Sequence, residues 1–308
     1  MSGVLIGFAI IAVVIGAGYL VGRFGLLGAE AGRVMSRLAF FVLTPALLFT
    51  VLAEADVHRL FSQLLPVSAI AAVTQIVVFA LVARLIWRRP VPETTIGSLA
   101  SGYTNANNIG LPVSLYVLGD ASSSAPVILL QLLVLAPIAL AILDISTSGK
   151  PSLGRILLQP VRNPLIIGSA LGLIVSVTGV ELPAPVLAPF ELVGAAAVPV
   201  VLLGFGMSLH GSRPLAPGTE RRDVVLASIL KLIVMPVVAW LVGEFAFGLS
   251  GHALFVVVVL AALPTAQNVF NYAQRYERGI TMARDTVLIT TGLSIVSLVV
   301  IAALLAPG

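Results

Sequence analysis

The sequence predicts an all-α integral membrane protein, and three observations carry that prediction. The chain of 308 residues is 59% hydrophobic and only 10% charged, with a mean hydropathy of +1.11. A soluble domain carries about 25% charged residues, and 17 basic with 13 acidic side chains cannot cover a water-exposed surface of this size. The apolar residues fall in runs of about twenty, long enough as helices to cross the roughly 30 Å hydrocarbon core. Barrel strands would need only about ten residues of alternating character. There is no cysteine, which excludes disulfides, thiolate metal sites and cysteine nucleophiles. The net charge of +4 comes without a basic stripe interleaved with aromatics, so lipid rather than nucleic acid is the expected partner.

Ten runs of spanning length lie at residues 3–22, 38–53, 61–83, 94–118, 125–145, 163–180, 185–209, 224–246, 253–274 and 286–306. No Lys or Arg precedes the first run, so it lacks the charged start of a cleavable signal and reads as a span. It carries Gly18 and Gly22, a spacing that serves close helix packing, as do Gly168 and Gly172 in the sixth. The second run holds a central Pro45 and the seventh a central Pro199; the third holds Gln75 and the eighth Lys231. Arg23, Arg33 and Arg37 follow the first span, Arg84, Arg88 and Arg89 the third, and Lys150, Arg155 and Arg162 the fifth. Arg213, Arg221 and Arg222 follow the seventh, and Arg275, Arg278 and Arg284 the ninth. The alternate loops hold only Arg59. By the positive-inside rule the odd-numbered loops are cytoplasmic, which predicts two extracytoplasmic termini.

The stretch 147–162 divides the spans into five and five, so residues 1–146 and 163–308 enter the membrane from opposite sides. Ala106-Asn107-Asn108-Ile109 in the fourth span is echoed by Ala266-Gln267-Asn268-Val269 in the ninth. Paired prolines and paired polar residues in other spans add to the echo, with Gln75 set opposite Lys231. Inverted repeats with a midplane binding site are a device of secondary transporters.

The fourth and ninth spans carry the chemistry. Asn105, Asn107, Asn108, Gly110 and Pro112 sit at the centre of one; Pro264, Thr265, Gln267, Asn268 and Asn271 at the centre of the other. Proline removes a backbone donor and glycine tolerates non-helical backbone. Unpaired backbone in hydrocarbon is tolerated only beside a polar cavity or inside protein. The expectation is two broken helices at one depth. Half-helix N-termini would suit a carboxylate and the opposed carbonyls a cation. Plain proline kinks with amides as packing glue are the alternative.

This Asn-rich stretch ending in Asn108-Ile109-Gly110-Leu111-Pro112, its Pro264–Asn271 counterpart and the five-plus-five layout resemble the auxin efflux carrier family. The family includes plant PIN-type carriers and bacterial carriers of malonate and other organic acids; the resemblance covers essentially the whole chain, without the long central loop of some plant members. It implies a small organic acid substrate bound where spans four and nine cross. It also implies a scaffold of spans 1, 2, 6 and 7, a mobile core of spans 3–5 and 8–10, an elevator-like movement and a homodimer formed through the scaffold. A bacterial-type plasma membrane is the expected location. A more distant resemblance to bile-acid sodium symporters leaves a coupled sodium ion, or a proton, open.

Lys231 either snorkels to the headgroups or serves function, as a fixed cation at the crossing or a proton carrier. Gln75 is a weaker candidate for the same coupling. Glu191, Glu244 and Asp144 fall near span ends, where solvation accounts for them, although Glu191 could line an outer vestibule. His58, His210 and His252 are isolated, so no metal and no cofactor is expected. No Walker A, H-E-x-x-H or G-x-S-x-G occurs, which leaves an anion channel or an integral lipid-modifying enzyme as the competing readings.

Overall fold

The computed structural model describes residues 2–28, 30–56, 60–148, 162–208 and 220–306. Lys150, Arg155, Arg213, Arg59, His58, His210 and Gly308 lie outside the described residues, as does most of the 147–162 linker. The described residues are helical with no strand beyond one isolated bridge. In chain order the helices are α1 (Ser2–Phe24), α2 (Ala31–Ala53), α3 (Leu65–Ile86), α4 (Val91–Gly102), α5 (106–116), α6 (Ala121–Thr147), α7 (Pro164–Thr178), α8 (Ala184–Met207), α9 (Arg221–Ala246), α10 (Gly251–Ala262), α11 (Gln267–Tyr276) and α12 (Ile280–Leu305). Six of them, α2, α3, α6, α8, α9 and α12, are long and apolar enough to cross a membrane. Their outward faces are bare apolar side chains: Leu85, Leu192 and Leu304 are 72%, 78% and 77% exposed. Water would not support such a surface over this area, so lipid is its natural solvent.

The helices pack in two groups. In the first, α1 lies along α8 and α2 along α7. Glycines permit the close approach: a Cβ on Gly18 would strike the Leu203 carbonyl, and one on Gly168 the Pro45 carbonyl. Gly22 and Gly172 meet Met207 and Phe49 in the same way. The small-residue faces of α1 and α7 are therefore used inside the protomer. In the second group α3 packs on α4, α9 on α10, and α12 on both α9 and α10.

Several of these helices continue through their prolines. Pro45, Pro137 and Pro236 each follow a widened turn, in which the preceding residue donates to the carbonyl five back: Thr44 to Ala39, Ala136 to Gln131 and Met235 to Leu230. A proline ring clashes with the carbonyl four residues back; one extra residue in the turn moves that carbonyl aside while the helix continues. Pro112 is the same case. It sits in the first turn after the wide turn Ala106–Gly110, where the Gly110 N–H donates to Asn105 O at 2.9 Å.

The break between α4 and α5 lies earlier, at residues 103–105. Gly102 allows the approach there: a Cβ would sit 2.7 Å from the Ala72 carbonyl. Between α10 and α11 the chain leaves the helix at Leu263, with ψ 147°, because the next residue is Pro264 and a residue before proline disfavours helix. The two extended pieces then pair. Thr104 forms an antiparallel bridge with Thr265, Asn105 N–H donates to Pro264 O at 2.8 Å, and Ala266 N–H donates to Tyr103 O at 3.0 Å. Each break thus satisfies the other's backbone groups, which is what allows two interrupted helices inside an apolar bundle.

The corners leading into α4 and α10 repeat one hydrogen-bond pattern. Trp87 N–H donates to Val82 O at 3.1 Å and Arg89 N–H to Ala83 O at 2.8 Å. Phe247 N–H donates to Val242 O at 3.1 Å and Leu249 N–H to Gly243 O at 2.8 Å. The intervening residues, Arg88 and Gly248, have φ of +53° and +62°. The first corner is further clamped to the start of α9 by the ion pair of Arg89 with Asp223, whose side chain is nearly inaccessible. That pairing raises the Arg89 guanidinium above its ordinary pKa.

Candidate binding site at the crossing

A cavity of about 40 Å³ opens beside the Thr104–Thr265 bridge. From the α4–α5 crossing it takes Tyr103, Thr104, Asn105, Ala106, Asn107 and Asn108, and from α11 and its approach Ala266, Gln267 and Asn268. Phe40 of α2, Leu165 of α7, and Ile128, Gln131 and Leu132 of α6 close it. The structure thus gathers five of the sequence candidates, from segments 160 residues apart, around one space. Asn105 is the best fixed of them: its Oδ1 accepts from the Asn108 N–H at 3.1 Å and caps α5. Asn107 Nδ2 donates to Asn108 Oδ1 at 3.0 Å, and Asn107 Oδ1 is buried with no partner among the described residues.

The two half-helices starting at the cavity differ. The N-terminus of α5 is capped by Asn105, while α11 starts at Ala266, which offers no side-chain cap. The first amides of α11 are therefore the open positive end of a helix dipole at this crossing. Gln267 is exposed and Asn268 half-buried beside those amides.

The remaining candidates do not line the cavity. Gly110 packs beneath it, where a Cβ would lie 3.0 Å from Ser124 Oγ and 3.1 Å from Leu263 Cδ1. Pro112 and Pro264 are buried in the helix start and the bridge. Thr265 is fully buried and locks the crossing, its Oγ1 donating to Ala100 O at 2.6 Å and its N–H to Thr290 Oγ1 at 3.1 Å. Asn271 is exposed one turn further along α11. Gln75 is fully buried away from the cavity; its backbone carbonyl accepts from Ser101 Oγ at 3.2 Å, and its side-chain amide has no partner among the described residues.

Lys231 does not snorkel. Its side chain is fully buried, and the ammonium donates to Ala261 O at 2.7 Å and to Met235 Sδ at 3.1 Å. Snorkelling fails because the side chain turns across the bundle to the end of α10 instead of along α9 to the interface. Ala261 is the penultimate residue of α10, so the amine rests on a carbonyl at the negative end of that half-helix.

Tyr103, Thr104 and Gln131 are the polar cavity residues not singled out by sequence. Tyr103 is 1% exposed, its hydroxyl faces the Tyr272 and Asn268 side chains, and its ring meets Tyr272 edge-on, with centroids 6.4 Å apart. Gln131 is buried in α6 and also lines a second cavity of about 10 Å³, shared with Thr104, Ser68, Met235 and Ala261. That is room for about one water, and it lies against both partners of the Lys231 ammonium.

An all-helical, multi-pass body with an amide-lined pocket at two broken helices is the form of a membrane carrier. Comparison with known proteins agrees. The family described as "Membrane transport protein" matches residues 4–152 and 149–302. The chain belongs to that family, which is the auxin efflux carrier family. It is 27% identical over 288 residues to a Rhizobium meliloti protein named "Putative malonate transporter", covering 90% of this chain and 88% of the relative. Over 268 residues it is 25% identical to the Escherichia coli "Uncharacterized transporter YfdV", covering 84% of each chain. An "Uncharacterized transporter" of Methanothermobacter thermautotrophicus is 25% identical over 284 residues, with 91% of each covered. The protein is a membrane transporter and not an enzyme.

Proposed function

We propose that this chain is a secondary active carrier of small organic anions, with the substrate held at the crossing. The observation that carries the reading is the convergence of Asn105, Asn107 and Asn108 with Gln267 and Asn268 around one cavity, next to an uncapped helix N-terminus. Neutral amides and a helix dipole suit a carboxylate that must be released again. The relative named for malonate makes a short organic acid the first substrate to test. Asn108→Ala removes one of the converging amides and the partner of Asn107, at a cost of about 1–3 kcal/mol, or roughly ten- to hundred-fold in affinity. Calorimetric titration of the purified protein with malonate checks this; wild-type affinity in a folded Asn108→Ala protein contradicts it.

The ten-span inverted repeat supplies the frame for this reading. The matching corners before α4 and α10 support it, and on their register Gln75 falls opposite Met235, with Lys231 a turn earlier, opposite Ala71. On that register the pairing of Gln75 with Lys231 shifts by one turn. Lys231 is then the fixed cation of the crossing, holding the carbonyl end of α10 where a sodium ion would otherwise be needed. That favours the organic-anion carrier over a sodium-coupled bile-acid-type symporter, and makes Gln75 a packing residue rather than a coupling one.

The two packed helix groups match a scaffold (α1, α2, α7, α8) and an elevator core (α3–α6, α9–α12). The half-helix α5 packs on α1 and α8, whereas α11 packs chiefly on α12, α4 and α6. Two lining residues of the cavity, Phe40 and Leu165, follow Arg37 and Arg162 by three positions in the chain. With basic loops in the cytoplasm, both termini face outward from a plasma membrane. A reporter fused at Gly308 should be active only when extracytoplasmic; activity confined to cytoplasmic reporters contradicts that topology. The exposed faces of α1 and α7 would form the homodimer.

A further inference from the structure

We infer that the crossing binds its substrate as a monoanion that also carries a hydrogen-bond donor, so that a dicarboxylic acid is taken half-protonated. The inference rests on the organic-acid reading above and names the charge state that the same site accepts.

Charge comes first. Among the described residues, no Lys, Arg or His lines the cavity. The positive influences on it are the α11 N-terminus and, one layer behind Gln131 and Thr104, the single ammonium of Lys231. Lys231 is already engaged with the Ala261 carbonyl of α10. A second negative charge in this apolar surround would have no counter-charge, and burying an uncompensated ion is costly. The titratable groups on the surrounding elements do not supply one. Tyr103 and Tyr272 are neutral phenols, Asp144 of α6 accepts from the Tyr276 hydroxyl, Arg37 of α2 and Arg275 of α11 are exposed, and Asp285 of α12 pairs with Arg284.

Hydrogen bonding gives the second half. Tyr103 is 1% exposed and lines the cavity with a hydroxyl that it shares with the Tyr272 and Asn268 side chains, and the first amides of α11 are donors. These suit a carboxylate. Asn107 Oδ1 is the opposite: a buried acceptor with no donor among the described residues, while the amide's Nδ2 is spent on Asn108. Buried acceptors left unpaired are rare in native proteins. A ligand that brings an O–H or N–H to Asn107 completes the site, and the protonated carboxyl of a half-neutralised dicarboxylic acid is such a donor. Nothing is oxidised or transferred. The substrate carries its own proton across, so moving the monoanion equals moving the dianion with one proton.

The experiment compares malonate with malonamate, its monoamide, by calorimetric titration of the purified full-length protein over a range of pH. Malonamate is a monoanion with an N–H donor throughout that range. The apparent Kd for total malonate should rise about tenfold per pH unit once the dianion dominates, because only the monoanion fraction is competent. The Kd for malonamate should stay flat, which excludes titration of the protein as the cause. Monomethyl malonate, which has the charge but no donor, should bind more weakly than malonamate, and Asn107→Leu should erase that difference. Malonate affinity that stays flat or improves as pH rises overturns the inference, as does equal binding of malonamate and the monoester. Failure of all three acids to bind at any pH overturns the organic-acid reading itself, and the monoanion inference with it.

Discussion

Lys231→Met is expected to cut substrate transport by about a hundredfold or more while the protein still inserts in the membrane. The substitution keeps the length and apolar bulk of the side chain but leaves Ala261 O without its donor inside the bundle. An orphaned buried carbonyl costs about 1–3 kcal/mol, and the negative end of α10 also loses its counter-charge. Both losses fall on the half-helix that leads into the Thr104–Thr265 bridge. Lys231→Gln separates the parts, since it restores a donor without the charge. If the ammonium stands in for a coupling cation, uptake by Lys231→Gln should return when sodium is supplied and should be absent without it. Proteoliposome uptake measures both. Parent-like transport by Lys231→Met across the acid-to-neutral range would show that the charge at the crossing is dispensable.

Gly206→Ala should produce the largest loss of stability in the first helix group. A Cβ at Gly206 would be driven into the Ile15 carbonyl and lie 2.8 Å from Tyr19 N and 3.0 Å from Gly18 C. All three are backbone atoms, so no rotamer change relieves the contact and α1 must separate from α8. Overpacking of this kind costs about 1–3 kcal/mol or more. Gly204, on the same helix, is the control: its nearest neighbour would be Met35 Cβ at 3.8 Å, an ordinary contact. Gly204→Ala should melt with the parent and Gly206→Ala well below it in detergent thermal melts. Equal melting of the two would contradict the packing of α1 on α8.

The class of protein and the neighbourhood of its site were legible because both are written in local composition. Apolar runs without charge give membrane helices, and three asparagines in one run have few purposes in lipid. The ends of elements were less legible. The sequence starts the second span at residue 38, but α2 begins at Ala31, because Arg33 and Arg37 lie on an exposed face of a helix that the apolar run does not reveal. The position of the fourth-span break could not be read locally. Gly110 and Pro112 look like the interruption, yet the chain leaves the helix at Tyr103, where its extended backbone pairs with residues 264–266. That pairing is a contact across 160 residues, and it has no signature at Tyr103 itself. Gln131 was missed for a related reason. A lone amide in an apolar run reads as packing until the fold shows it between two cavities; its one local signal is being the sole amide between residues 125 and 145.

If the crossing carries an organic acid by saturable exchange, the protein should catalyse counterflow. Purified protein is reconstituted into sodium-free liposomes loaded with unlabelled malonate, and entry of labelled malonate is followed over time. The account predicts a transient, saturable accumulation of label that is strongly reduced in the Asn108→Ala protein and absent from empty liposomes. Non-saturable entry that is indifferent to internal malonate, or equal counterflow by Asn108→Ala, would contradict it.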